Sequence, residues 1–254
     1  MFTVRHFIWI AICVILCAAF IWLYFQKRPS LHQVLIYCCG VCVASEFVKV
    51  FSVIRMVPST NGAIIYPYIE MNHLPLHLCS IQIPLIFYVC FTSNKKMREN
   101  VLAFMYPSCL LGAIAAILMP SIFRTSVPVE KAFIHPLAYQ TFIYHAMLIV
   151  LAVCIAASGE IHWQKKHLKA TLLIAFLAGF LSLYVNSLLA SPTYVDGKLV
   201  AVDFWPNFMF TYDNPLGIKM TEIWHWYLYL VILSAVVVIL VSILYIPLLR
   251  KKKN

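Results

Sequence analysis

Residues 224–246 read WHWYLYLVILSAVVVILVSILYI, twenty-three positions without Asp, Glu, Lys or Arg. About 20 apolar residues in a helix cross the ~30 Å hydrocarbon core of a bilayer, so this stretch is predicted to span a membrane. Working back along the chain, six further runs of similar length lie at 7–25, 34–54, 74–92, 101–119, 137–157 and 170–190. The 254 residues are 63% hydrophobic and 11% charged, against the roughly 25% charged of a soluble domain. A water-exposed globule and a disordered chain are excluded. The nine cysteines fall inside the apolar runs, so they read as small buried hydrophobes and not as a secreted disulfide framework. The predicted fold is all-α: one polytopic domain, 1–254, built as a bundle of seven transmembrane helices.

Basic residues are retained on the cytoplasmic side of a membrane. Lys27, Arg28, Lys95, Lys96, Arg98, Lys165, Lys166, Lys169, Arg250, Lys251, Lys252 and Lys253 fall in one set of alternate connections. Arg5, Arg55, Arg124, Lys131, Lys198 and Lys219 fall in the other. The N-terminus is therefore expected outside and the C-terminus in the cytoplasm. A net charge of +10 needs no nucleic acid, because a cytoplasmic basic collar meets anionic lipid; membrane lipid is the expected partner. Nothing in the sequence sets an oligomeric state. The first run, followed by Lys27-Arg28, is longer than the 7–15-residue core of a signal peptide. The connection 191–223 is expected to form an external, lid-like loop, because its Trp205–Phe210 core is too apolar for a plain solvated segment.

Polar side chains inside a span are costly and by default face the bundle interior or a wet cavity. Here they gather in the predicted outer half. Glu46 and Lys49 lie near the external end of the second span, and His73, His77, Cys79, Ser80 and Gln82 in the first half of the third. Tyr144 and His145 stand midway along the fifth, Asn186 near the end of the sixth, and Asn207 in the long loop. Glu46 and Lys49, three apart on one helix face, can also simply pair. The arrangement predicts an outward-facing polar pocket. On an ideal helix His73, His77, Ser80 and Pro84 share one face, whereas Cys79 points about 200° away from His77. A Cys79 nucleophile would then need its base from another helix, with His145 the first candidate. His73 and His77 sit at a metal-binding spacing, but no HExxH surrounds them and no third ligand is specified. No metal is assigned, and no cofactor, since P-loop, GxSxG and GxGxxG patterns are absent.

The stretch Leu74-Pro75-Leu76-His77-Leu78-Cys79-Ser80 resembles the LPLHLCS signature of the bacterial YwaF-type integral membrane protein family. His145 in the fifth span, Val185-Asn186 ending the sixth and Asn207-Phe208-Met209-Phe210 before the last span are similar to that family as well. The chain departs at Ala146, where the family pattern has glycine, and in a longer insertion between Asn186 and Asn207. The resemblance implies a seven-span protein of a bacterial plasma membrane. It also implies a distant similarity to a eukaryotic heptahelical family of phospholipid acyltransferases that use a cysteine and a histidine. Two functional readings follow. In one, a membrane enzyme acts on a lipid or acyl substrate, with His77 or His145 as general base and Cys79 as acyl-accepting nucleophile. Asn186 or Asn207 then serves as oxyanion or head-group donor, and Glu46, Lys49, His73, Ser80, Gln82 and Tyr144 line the substrate site. In the other, the protein is a non-enzymatic transporter or sensor of small solutes or ions.

Overall fold

The computed structural model describes residues 2–59, 62, 65–196, 198–204, 206–215 and 218–250. Every predicted apolar run contains a helix. These are α1 (Val4–Lys27), α2 (Leu31–Val53), α3 (Leu78–Phe91), α4 (Lys95–Leu118), then a four-residue α5 (Ile122–Thr125), α6 (Pro136–Ala157), α7 (Lys165–Leu188) and α8 (Ile223–Arg250). Six of them are long and apolar enough to cross a membrane, and the protein is a multi-pass integral membrane protein. The exceptions are α5, which lies between two of the predicted runs, and α3, whose 14 residues rise roughly 21 Å. Two β-hairpins qualify the all-α expectation: β1 (Arg55–Pro58) with β2 (Ile65–Tyr68), and β3 (Ser191–Val195) with β4 (Lys198–Phe204), both antiparallel.

Helix starts follow local chemistry. Ser30 and Gln33 form a reciprocal capping box at α2, with Gln33 N donating to Ser30 Oγ at 3.2 Å and Ser30 N to Gln33 Oε1 at 2.9 Å. Asn94 caps α4 through Met97 N at 3.1 Å. That cap carries Lys95–Glu99 into the helix, so α4 begins six residues before the apolar run at 101. His135 caps α6 by accepting from Leu137 N, and Pro136 follows at the first helical position, where a missing amide proton is harmless.

The chain forms two compact units. The first, residues 1–70 and 78–162, is organised around α4 and α6, the two long helices with more than half of the residues in their apolar stretch buried. Trp9 is 2% exposed, stacks on Phe142 with ring centroids 4.8 Å apart and donates to Ala132 O at 3.0 Å. Further along α1, Cys13 donates to Phe142 O, Cys17 to Ala146 O and Tyr24 to Cys154 O. Partners on both helices rise together in number, so α1 and α6 run parallel.

The second unit comprises residues 71–77 and 163–254. Thr171 and Tyr245 share a hydroxyl hydrogen bond of 2.8 Å between α7 and α8. The segment between β4 and α8 is pinned to α7 by Asn186, which is fully buried. Its Oδ1 accepts from Phe208 N at 3.0 Å, and its Nδ2 donates to Phe208 O at 3.2 Å and Thr211 Oγ1 at 3.0 Å. Met209 and Phe210 have φ of 57° and 56°, a left-handed conformation that costs a non-glycine residue about 1–2 kcal/mol. The Asn186 bonds and Trp226 Nε1 donating to Thr211 O at 2.9 Å hold the strained turn in place.

Candidate functional site

The LPLHLCS stretch is not continuous helix. Met71–His73 form a 3-10 turn, Leu74–His77 are turns and bends, and α3 begins only at Leu78. Proline disfavours helical conformation in the residue before it, and Leu76 N bonds Leu74 O at 2.8 Å in a tight turn that helix would not allow. The expected polar face of His73, His77, Ser80 and Pro84 is therefore corrected, since the two histidines lie outside the helix. His77 packs edge-on against Phe208, ring centroids 4.8 Å apart, and both it and His73 belong to the second unit.

Cys79 is the second residue of α3, and its thiol lies close enough to the imidazole of His145 on α6 for the two to interact. His145 is buried, 7% exposed. Its Nδ1 lies 2.5 Å from Thr141 O. A carbonyl only accepts, so Nδ1 carries the proton. Nε2 is buried and takes part in no hydrogen bond of standard geometry, which leaves it as the lone pair available to the thiol. The hydroxyl and backbone amide of Ser80 lie beside the Cys79 sulfur. The Tyr144 hydroxyl donates to Cys79 O at 2.8 Å, fixing the helix start from α6.

The site is recessed. Tyr144 comes eight residues after the start of α6, and Gly112, which approaches the Cys79 backbone, six before the end of α4. At 1.5 Å per residue both stand roughly 9–12 Å inside the helix ends. Glu46, seven residues before the end of α2, is at a similar depth. It is occupied with its neighbour: Lys49 Nζ lies 2.8 and 2.7 Å from its two carboxylate oxygens. Gln82 is also spent, with Nε2 donating to Leu78 O at 3.0 Å and Ser108 Oγ at 3.1 Å while Oε1 accepts from the Cys109 thiol at 3.3 Å. The amide of Asn207 is used within its own loop, accepting from Tyr212 N and Asp213 N and donating to Asp213 O. Asn186 has both amide protons engaged as described.

Of the residues singled out in the sequence, Cys79, Ser80, Tyr144 and His145 are brought together, whereas Glu46 with Lys49, Gln82, His73, His77, Asn186 and Asn207 each have other surroundings. Thr141, Ser108 and Cys109 were not foreseen. Thr141 acts through its backbone, which carries no sequence signal, but Ser108-Cys109 beside a mid-helix Pro107 is a polar mark in an otherwise apolar span. The cavities bordering this layer are apolar clefts and not the polar pocket expected. One of about 410 Å³ lies between α2 and α3, and one of about 280 Å³ among α1, α4 and α6. Among the described residues, no group of three or more His, Cys, Asp or Glu side chains is placed to hold a metal.

The arrangement is a thiol with an adjacent, tautomerically fixed imidazole at a helix start, the components of nucleophilic catalysis. Trp205 and Lys251–Lys253 lie outside the described residues. In comparison with known proteins, the model of the TMEM164 family matches residues 1–245; the match does not name the YwaF-type group or a bacterial source. No curated protein and no solved structure matches.

Proposed function

The chain belongs to the TMEM164 family, and on that footing we propose that it is a membrane acyltransferase that carries an acyl group on Cys79. The observation that supports this most is that His145, its imidazole proton held on Nδ1 by Thr141 O, stands beside Cys79 with Nε2 uncommitted. In the first step Nε2 of His145 removes the thiol proton and the sulfur attacks the ester carbonyl of a phospholipid. The C–O bond breaks, and the lysolipid alcohol leaves with the proton returned by His145. In the second step an acceptor alcohol, deprotonated by Nε2, attacks the thioester carbonyl, forms the new ester and frees the thiol. Backbone amides at the start of α3 lack acceptors within the helix and are the donors we assign to the developing oxyanion. Among the long helices α1 and α6 are first and fourth in chain order, and fourth would run antiparallel to first; their parallel run supports counting α3 as a crossing and hence a seven-span chain.

The test uses the full-length protein in phosphatidylcholine vesicles with an isotope-labelled acyl donor and a lysophospholipid acceptor. Wild-type protein is expected to form the labelled diacyl product, and Cys79→Ser and His145→Gln to lose about two to four orders of magnitude in rate. His77→Ala, in the other unit, is expected to keep activity. Equal product from wild type and Cys79→Ser would refute the reading.

A further inference from the structure

The α2–α3 cleft of about 410 Å³ is lined by Cys42, Val43, Glu46, Phe47, Val50, Phe51, Ile83 and Phe87. Ligand pockets typically enclose ~300–1,000 Å³, and apart from Glu46 this lining is apolar. At 100° per residue, Ile83 and Phe87 lie about 40° and 80° to one side of Cys79 on the α3 wheel. The buried Gln82, Ile86 and Val89 lie about 60°, 20° and 80° to the other. Cys79 thus stands on the border between the stripe packed in the first unit and the stripe that opens into the cleft. Along the helix Ile83 and Phe87 follow it by roughly 6 and 12 Å. On α2, Glu46 lies within electrostatic range of Tyr144, whose hydroxyl holds Cys79 O. Its charge is matched by Lys49, leaving a wall that does not repel a hydrocarbon. The cleft among α1, α4 and α6 has no such neighbour, since its thiols Cys13 and Cys17 donate to backbone carbonyls.

We propose that the α2–α3 cleft seats an acyl chain of the phospholipid donor with its ester carbonyl at Cys79, and that Val43, Ile83 and Phe87 set which chain lengths are accepted. This rests on the reading of Cys79 as the acyl-accepting residue, and it adds the place and the selectivity of the chain. Val43 is 59% exposed, so a larger side chain there fills the cleft without entering the core.

The test offers the full-length protein, in vesicles, phosphatidylcholine bearing an ω-alkynyl chain of octanoyl or of stearoyl length, and measures hydroxylamine-sensitive label on Cys79. Wild type is expected to take both chains. Val43→Trp is expected to lower the long-to-short labelling ratio by roughly tenfold or more, and Leu177→Trp, on the exposed face of α7, to leave it unchanged. Labelling of wild type with an unaltered ratio in Val43→Trp overturns the cleft assignment while leaving the acyltransferase reading intact. An unlabelled wild type overturns both. In a second arm, Cys79→Ser protein is irradiated with phosphatidylcholine carrying a diazirine in its chain. Cross-links at residues 42–51 and 83–87 well above those on the bulk-lipid face 173–181 are expected, and equal yields overturn the cleft as a preferred seat.

Discussion

Tyr144 holds Cys79 by its peptide carbonyl, so it acts by position. Such a bond contributes about 0.5–1.5 kcal/mol, and we expect Tyr144→Phe to lower kcat by roughly two- to tenfold with KM unchanged, read from initial rates of acyl transfer. A rise in KM with kcat preserved would assign the hydroxyl to substrate instead. At this scale the sequence is legible in kind more than in pairing. Polar residues in spans stand out against hydropathy, and that contrast marks Cys79, Tyr144 and His145. Which of them meet depends on the rotation of separate helices. The same blindness grouped Asn186 and Asn207 with the rest, although their amides are committed to one loop. Glu46 and Lys49 pair as their spacing allowed, because an i,i+3 relation belongs to one helix and needs no tertiary knowledge.

Within α3, Pro84 has no amide proton for Ser80 O, so the turn that bears Cys79 is loosened at its base. Pro84→Ala restores that hydrogen bond. We expect it to raise the melting temperature of the protein in nanodiscs and to lower acyl transfer severalfold, because Ser80 loses freedom beside the thiol; higher stability with unchanged activity would show that the loosening is incidental. In the second unit, Asn186→Leu strands the Phe208 amide, leaves the Phe208 carbonyl with Thr211 as its donor, and withdraws support from two left-handed residues. A loss of about 2–4 kcal/mol is expected, seen as faster hydrogen exchange across 206–214, and unchanged protection there would contradict the clamp. Helix existence was legible because a run of about 20 apolar residues has few other fates. The late start of α3 was not, because hydropathy scores Leu74–Leu78 alike whether helical or turned. The hairpins at 55–68 and 191–204 carry mostly exposed side chains, so they leave no burial pattern to read.

For the whole molecule, the aromatic packing around Trp9 joins the first helix to α6, and its truncation removes one of the largest side chains in that core. Trp9→Ala is expected to cost about 3–5 kcal/mol, measured by thermal unfolding in nanodiscs; a loss below about 1 kcal/mol would show that this core does not depend on the first helix. An acceptor tag for glycosylation is expected to be modified at the N-terminus and left unmodified at the C-terminus, as an external N-terminus and a cytoplasmic C-terminus require; modification at both ends or at neither would contradict that orientation. Membrane class was evident from composition alone, whereas the division into two compact units was not. Both have the same apolar character, and only contacts distant in sequence separate them.

Glu46 and Lys49 are the only acidic and lysine or arginine residues of α2, and they neutralise each other within a single turn. A lone lysine carried fully through a polarised bilayer would gain or lose about 2.3 kcal/mol per 100 mV, but a dipole this short couples to the field hardly at all. Turnover in vesicles clamped at opposite potentials should accordingly be the same, and only after Glu46→Gln should α2 begin to sense voltage.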